Sequence, residues 1–303
     1  IATTPSDATF AVRTDGIDRS QADWYKDAVI YQLHIKAFQD SNGDGIGDFA
    51  GLMQRLDYVQ ELGVTAIWLL PFYPSPLRDD GYDIADYRSI NPSYGSMKDF
   101  KAFVKEAHRR GIRVITELVI NHTSDQHPWF RSAASDRGSP YRDWYVWRDE
   151  IPPGAPDDLV FPDKETSNWE WHEETGQYYL HRFYRHQPDL NIGNPQVRDE
   201  IHRIVGFWLQ LGLSGFRVDA VPFLLETKGL DAPELDPHDW LRDLRRFIMR
   251  RCGDALLLGE VNLPYQDVRR FYGDDGGGEL NMCLDFNMNQ ALALALVRED
   301  AGP

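Results

Sequence analysis

Gly215-Phe216-Arg217-Val218-Asp219-Ala220-Val221 is a short β-rich run, and it follows a segment in which Val197, Ile201, Ile204, Val205 and Trp208 recur at helical spacing up to Gly212. Apolar residues three and four apart predict a helix with one buried face, and a glycine just past the last of them closes it. The same order recurs along the chain. Leu52, Leu56, Val59 and Leu62, closed by Gly63, precede Val64 to Leu70, a run ended by Pro71. Phe100, Phe103, Val104 and Ala107, closed by Gly111, precede Arg113 to Ile120; Trp240, Leu241, Leu244, Phe247 and Ile248 precede Ala255 to Val261. Val29 to Ile35 is an earlier strand, and Asn281 to Phe286 with Gln290 to Val297 a later strand and helix. Alternating helices and fully apolar strands predict a parallel sheet of right-handed βαβ units, closed as a barrel or open and doubly wound.

Two features favour a TIM (β/α) barrel. Between His122 and Asn191 the alternation gives way to a stretch rich in Trp, Tyr, Pro and charge, long enough for a small inserted domain on the loop after strand 3. Polar residues also gather where strands end, at Asn121-His122, Arg217 to Asp219 and Glu260, which suits the catalytic face of a barrel. No glycine-rich phosphate loop follows the first strand, as a dinucleotide-binding sheet would require. The expected organisation is a flexible arm over residues 1–22, a (β/α) barrel over 23–122 and 192–303, and an inserted domain over 123–191. The barrel elements stop after about the sixth βα unit.

A length of 303 residues with 42% hydrophobic content supports a large core, and the formal charge of −16 argues against nucleic acid or an anionic membrane as partner. A neutral small molecule fits better. Cys252 and Cys283 are too few for a disulfide framework and read as structural thiols. Ile1 to Ser20 lacks a basic start followed by an apolar stretch, so a soluble, cytoplasmic protein is expected, with an initial Ile that suggests trimming or a start inside a longer product.

Strand alternation puts Arg217 and Asp219 on one face and Phe216 and Val218 on the other. An arginine beside a carboxylate keeps it ionised and aimed, as a nucleophile requires; a structural ion pair is the plain alternative. Glu260 ends the apolar run Leu256-Leu257-Leu258-Gly259, where burial would raise its pKa and make it a general acid. One ionised and one protonated carboxyl about 5 to 5.5 Å apart match cleavage of a glycosidic bond through a covalent intermediate. Asp40-Ser41-Asn42-Gly43-Asp44-Gly45-Ile46-Gly47-Asp48 sets oxygen donors at alternate positions around Gly45, which predicts a hard cation, Ca²⁺ before Mg²⁺, with the Ile46 carbonyl also a ligand. It is not an EF-hand, since Gly51 stands at the twelfth position and the loop follows a strand.

These motifs, with Gly81-Tyr82-Asp83, Val119-Ile120-Asn121-His122-Thr123 and Leu258-Gly259-Glu260-Val261 in order, resemble the α-amylase superfamily, glycoside hydrolase family 13. Gln187-Pro188-Asp189-Leu190-Asn191 resembles its oligo-1,6-glucosidase and neopullulanase side. Tyr31 to Phe38, Leu180 to His186 and Asp219 to Leu224 most resemble the trehalose synthase branch. The resemblance covers roughly residues 24 to 300. It implies that Asp219 attacks the anomeric carbon and that Glu260 protonates the leaving oxygen and then activates the acceptor. By the same resemblance Arg217 orients Asp219, Tyr82 stacks under the glucose ring, and His122 and Asp83 hold its hydroxyls. A second Ca²⁺ site is implied at Asn121, Asp189, Glu226 and the carbonyls of Phe223 and Leu224.

The implied activity is intramolecular transglucosylation between maltose and trehalose by double displacement. An α-glucosidase or oligo-1,6-glucosidase type of hydrolase and an inactive sugar-binding fragment are the alternatives. The superfamily also carries a third carboxylate, in a His-Asp pair after the seventh strand, and no such pair follows Glu260. The 303 residues are therefore expected to be the front of a longer enzyme, to be completed by another chain in a homo-oligomer or other assembly, or to be a naturally short form. Alone, they are expected to be nearly inactive toward maltose.

Overall fold

The computed structural model describes residues 16–153, 158–225, 236–273, 278–300 and 302. The described strands are β1 (Ile30–Leu33), β2 (Ala66–Leu69), β3 (Arg113–Leu118), β4 (Trp147–Arg148), β5 (Trp169–His172), β6 (Gln177–Leu180), β7 (Gly215–Val218), β8 (Leu256–Gly259) and β9 (Met282–Cys283). The helices are α1 (Phe49–Gln54), α2 (Leu56–Glu61), α3 (Met97–Arg109), α4 (Pro128–Ser135), α5 (Pro195–Gln210), α6 (Val221–Leu224), α7 (Pro237–Arg251), α8 (Tyr265–Val268) and α9 (Phe286–Arg298).

Six strands form one sheet in the order β1-β2-β3-β7-β8-β9, and every neighbouring pair is parallel. The order follows the chain and never reverses. A doubly wound sheet turns back at a switch point, so this is the winding of a (β/α) barrel through six of its strands. Alternate residues serve its two sides. Ile67, Leu69, Val114, Phe216, Val218 and Leu257 pack toward the helices, while Trp68, Ile115, Leu256 and Leu258 form a separate cluster on the inner side. Between β7 and β8 a glycine is needed: Gly215 has φ +146°, and a Cβ there would stand 2.2 Å from the Leu256 carbonyl oxygen.

The helices start where their caps dictate. Ser96 and Asp99 form a reciprocal capping box on α3, Asn194 caps α5 ahead of Pro195, and Asp236 caps α7 ahead of Pro237. Gly63, Gly111 and Gly212 take positive φ past the helix ends, as their position after the apolar stripe predicts.

Several boundaries differ from the pattern. The helix expected from Leu52 to Leu62 is two, divided at Arg55 with φ −109° and ψ 9°. The first strand ends at Leu33, because His34 caps a one-turn helix over Ile35–Ala37. The strand expected over 281–286 shrinks to Met282–Cys283, which has a ladder partner on one side only, and α9 begins at Phe286 instead.

Within residues 123–191, β4, β6 and β5 form an antiparallel sheet with its own small cluster of Val146, Trp169 and Leu180. A bridge from His122 to Asp189 joins this region to the loop after β3, and one from Tyr145 to Leu190 closes within it. Residues 1–15 of the expected N-terminal arm lie outside the described residues. From Gly16 on, the chain is tied beneath the sheet: Arg19 reaches Asp254 Oδ1 at 3.2 Å, and the Asp18 carbonyl accepts from Arg113. Arg113, at the start of β3, also pairs with Asp254 at 2.6 Å and lies over the Trp24 ring.

Candidate active site

The loops that leave the C-terminal ends of β2, β3, β7 and β8 bring the candidate residues together. Arg217 faces the inner side of β7 beside Glu117 of β3 and Leu258 of β8. Its Nη1 donates to Asp219 Oδ1 at 2.5 Å and to Glu117 Oε2 at 2.8 Å, and its Nη2 lies 2.9 Å from Glu260 Oε2. One guanidinium thus serves three carboxylates. Glu260 Oε2 also accepts the Ala220 N–H at 3.0 Å, and the Glu260 carboxylate adds to the upward shift of Asp219. Ala220 stands in the left-handed region with φ 49° and ψ 41°, a strained setting for a residue with a Cβ; here it turns the chain so that its N–H meets Glu260.

Glu117 is the residue that sequence reasoning missed. It is fully buried and accepts from Trp68 Nε1 at 2.9 Å and from the Tyr82 hydroxyl at 3.2 Å as well as from Arg217. The sign of it was available: a carboxylate in the middle of Val114-Ile115-Thr116-Glu117-Leu118 is as anomalous as Glu260 at the end of its strand. Burial and the Glu117 carboxylate push the Tyr82 hydroxyl far above its usual range, which keeps it a donor. Tyr82 is thereby fixed to the same cluster.

The protonation pattern differs from the expectation. Asp219, expected to be ionised, is pushed well above the usual carboxylate range by burial, with Arg217 opposing and Glu260 adding to the shift. Burial likewise pushes Glu117 up, against the pull of Arg217. Glu260, expected to be the buried one, keeps 31% of its side chain exposed and is paired with Arg217. Fully ionised, three carboxylates and one guanidinium would leave a net charge of −2 in a desolvated place. Burial therefore favours the protonated forms of Glu117 and Asp219, and Arg217 opposes it at both.

The other candidates lie around this cluster. Asp83 is fully buried and bonds Ser75 Oγ at 2.8 Å and the N–H groups of Arg78 and Asp79 at 3.1 and 3.2 Å, so its carboxylate organises its own loop. His122 is buried against the Phe183 ring, with its Nδ1 3.3 Å from Asn121 Nδ2. Asn121 Nδ2 also donates to Asp189 Oδ1 at 3.3 Å, which unites two of the residues implied for a second cation; Phe223 and Leu224 lie in α6, and Glu226 lies outside the described residues. Gln187 bonds Asp79 at 2.7 Å and so links the end of the 123–191 segment to the Tyr82 loop.

In the loop over residues 40–48, Asp40 accepts the N–H groups of Asn42, Gly43 and Gly45, and Asn42 and Asp44 accept those of Asp44 and Ile46. The Gly45 and Gly43 N–H groups hold the Asp40 carboxyl below its usual range. Asp48 is turned inward, capping α1 through Gly51 at 2.6 Å and bonding Ser41 Oγ at 2.8 Å. The donors are all oxygen, as a hard cation needs, but Asp48 is committed to the helix and fits least. Among the described residues no cluster of three or more His, Cys, Asp or Glu is arranged to hold a metal ion.

Residues 32–297 match the family described as alpha amylase, catalytic domain. The chain belongs to that family. It is 48% identical over 282 residues to trehalose synthase of Thermus thermophilus, covering 92% of this chain and 29% of that one. It is 45% identical over 291 residues to trehalose synthase of Pimelobacter sp. (strain R48), covering 93% and 51%. The crystal structure of Bacillus licheniformis trehalose-6-phosphate hydrolase superposes with a TM-score of 0.78 at 39% identity, over 88% of this chain and 50% of that one. The chain thus spans about half or less of the length of the relatives it matches. Among the described residues no helix is long and apolar enough to cross a membrane.

Proposed function

We propose that the protein carrying this chain is a retaining α-glucoside-processing enzyme that transfers glucose within one pocket, interconverting maltose and trehalose. The reading rests on one observation, the convergence of Asp219 and Glu260 on the guanidinium of Arg217 at the ends of adjacent strands. In the first step an Asp219 oxygen bonds to the anomeric carbon as the glycosidic bond breaks, and Glu260 gives its proton to the departing oxygen. In the second, Glu260 takes the proton of an acceptor hydroxyl, whose oxygen displaces Asp219. Two inversions restore the α configuration. Arg217 keeps Asp219 aimed, Tyr82 offers a ring face to glucose, and His122 and Asp83 supply polar groups at its edge.

Burial raises Asp219 and Glu117 while Arg217 opposes the shift, a setting in which an acid and a carboxylate can stand side by side. A mechanism-based fluoroglucosyl fluoride is expected to trap a glucosyl ester on the peptide that contains Asp219, read by mass spectrometry. No label on that peptide sinks the reading. A hydrolase is the second reading, favoured by the likeness to trehalose-6-phosphate hydrolase. Incubation with maltose separates them, since trehalose accumulates in one case and glucose in the other. A sugar-binding protein without turnover would leave affinity unchanged in Asp219→Ala and give no product in the wild type.

A calcium ion in the loop over residues 40–48 is part of the proposal, held by Asp40, Asn42, Asp44, the Ile46 carbonyl and Asp48, where it would rigidify the loop after β1. Asn121 and Asp189, with Glu226 and the Phe223 and Leu224 carbonyls, would hold a second. Raised thermal stability with calcium over chelator, lost in Asp44→Ala for the first site, is the expected result.

A further inference from the structure

Arg142 is 7% exposed in a chain of formal charge −16, yet no carboxylate lies within ion-pair distance of it among the described residues. Its Nη1 donates to the Ala133 carbonyl at 2.6 Å, its Nη2 to Gln177 Oε1, and its guanidinium carbon stands 3.4 Å from the centre of the Trp147 ring. Neutral acceptors and an aromatic face orient the guanidinium, and Asp143, Asp136 and Asp149 favour its charge only from beyond ion-pair distance, so its burial is costly. Burial, together with the charge of Arg137, pushes Arg142 down to about 10 against the opposing pull of Asp143, Asp136 and Asp149.

The reason for keeping a cation there lies beside it. A cavity of about 380 Å³ on the flank of the small antiparallel sheet is lined by Arg137, Arg142, Arg148, Asp143, Trp147 and Asn191, among others. Three of these residues are cationic and Asp143 alone is anionic. Arg137 meets one exposed carboxylate, Asp149, at 3.5 Å, and Arg148 donates to the Trp147 carbonyl with no ion pair among the described residues. Two further lining residues contribute buried polar atoms without a protein partner among the described residues: Trp147 Nε1, a donor, and Asn191 Oδ1, an acceptor. Positive charge and an unused donor and acceptor beside one hollow suit an anion that also carries hydroxyl groups.

We infer that this cavity binds a small oxyanion, a phosphate or carboxylate group, carried on a hydroxylated molecule of about sugar size. Its lining residues are separate from the Arg217 cluster, and the inference stands whether or not the proposed activity holds. The oxyanion engages the arginines, and the attached hydroxyls satisfy Trp147 and Asn191. The cavity is larger than a bare phosphate needs, which is why a carrier is included.

The test is titration calorimetry on the full protein with glucose 6-phosphate, inorganic phosphate and glucose as probes. Glucose 6-phosphate is expected to bind saturably and more tightly than inorganic phosphate, and to weaken at least about 10-fold when salt is raised or in Arg137→Gln/Arg148→Gln. Among the described residues Arg137 is exposed and bonds the Thr175 and Gly176 carbonyls and the exposed Asp149, and half-buried Arg148 bonds the Trp147 carbonyl, so this variant is expected to keep its fold, as circular dichroism checks. Arg203→Gln, an exposed arginine on α5, controls for bulk charge and leaves affinity unchanged. Absence of saturable binding by either anion, equal binding of glucose, or an unaltered affinity in the double variant overturns the site. Binding of inorganic phosphate that the attached sugar weakens overturns the carrier.

Discussion

Arg113 and Arg217 are both buried, sit on neighbouring strands of one sheet, and are used in opposite ways. At the N-terminal end, Arg113 pairs with Asp254 while Arg19 adds a second cation and Trp24 covers the pair. Burial alone would raise Asp254, but the bonds from Arg113 hold its carboxyl below the usual range. At the C-terminal end the ratio is reversed, with one guanidinium for Glu117, Asp219 and Glu260, and burial lifts Glu117 and Asp219 above that range. Matched charges stabilise a fold; mismatched ones keep protons available. The two ends of a barrel divide these tasks, and stability at the lower end lets the upper end remain frustrated.

Substitutions at the two ends should therefore separate turnover from stability. The largest effect is expected for Asp219→Asn, a fall in maltose turnover on the order of 10⁴-fold with no loss of thermal stability, because a crowded carboxylate is removed. Concurrent unfolding would break the comparison. Asp254→Ala should do the reverse: removing one member of a buried pair costs about 3 kcal/mol, seen in denaturant melts, while turnover well below the melting temperature is retained.

Glu117→Gln sharpens the contrast within the upper end. Tyr82 and Arg217 lose an ionic anchor, and kcat/KM is expected to fall about 10-fold, with an altered pH profile and little change in stability. A purely structural Glu117 would move stability and leave the pH profile in place.

The smallest effect expected is that of pH on the wild-type melting temperature. For Asp254, whose folded pKa is depressed, the contribution is present above the unfolded pKa and is lost as acid takes pH down through the folded value. For Asp219 and Glu117, whose folded pKa values are raised, the folded form binds the extra proton, so stability falls as pH rises through those values. Stability should thus increase by about 1 kcal/mol from about pH 8 to about pH 5 and decline below about pH 4. Glu117→Gln should flatten the upper limb and Asp254→Asn the lower, and a profile that both variants leave unaltered contradicts this division of labour.

The sequence by itself determined the alternation of helix and strand, the shared face of Arg217 and Asp219, and the positions of the helix-closing glycines, because these follow from local periodicity and backbone preference. It also carried Asp219 and Glu260 as candidates, since polar residues at the end of apolar strands are visible in one dimension, while Tyr82 entered through the family resemblance. Only the tertiary structure decided that the strand order never reverses, that β9 is two residues long, and that Glu117 belongs to the cluster. Proton ownership was likewise beyond the sequence. Burial and the distance to a shared guanidinium set it, and both are properties of strands 100 residues apart brought side by side. That is why Glu260, taken alone, read as the buried acid, whereas in the folded chain the deeper burial falls on Glu117 and Asp219.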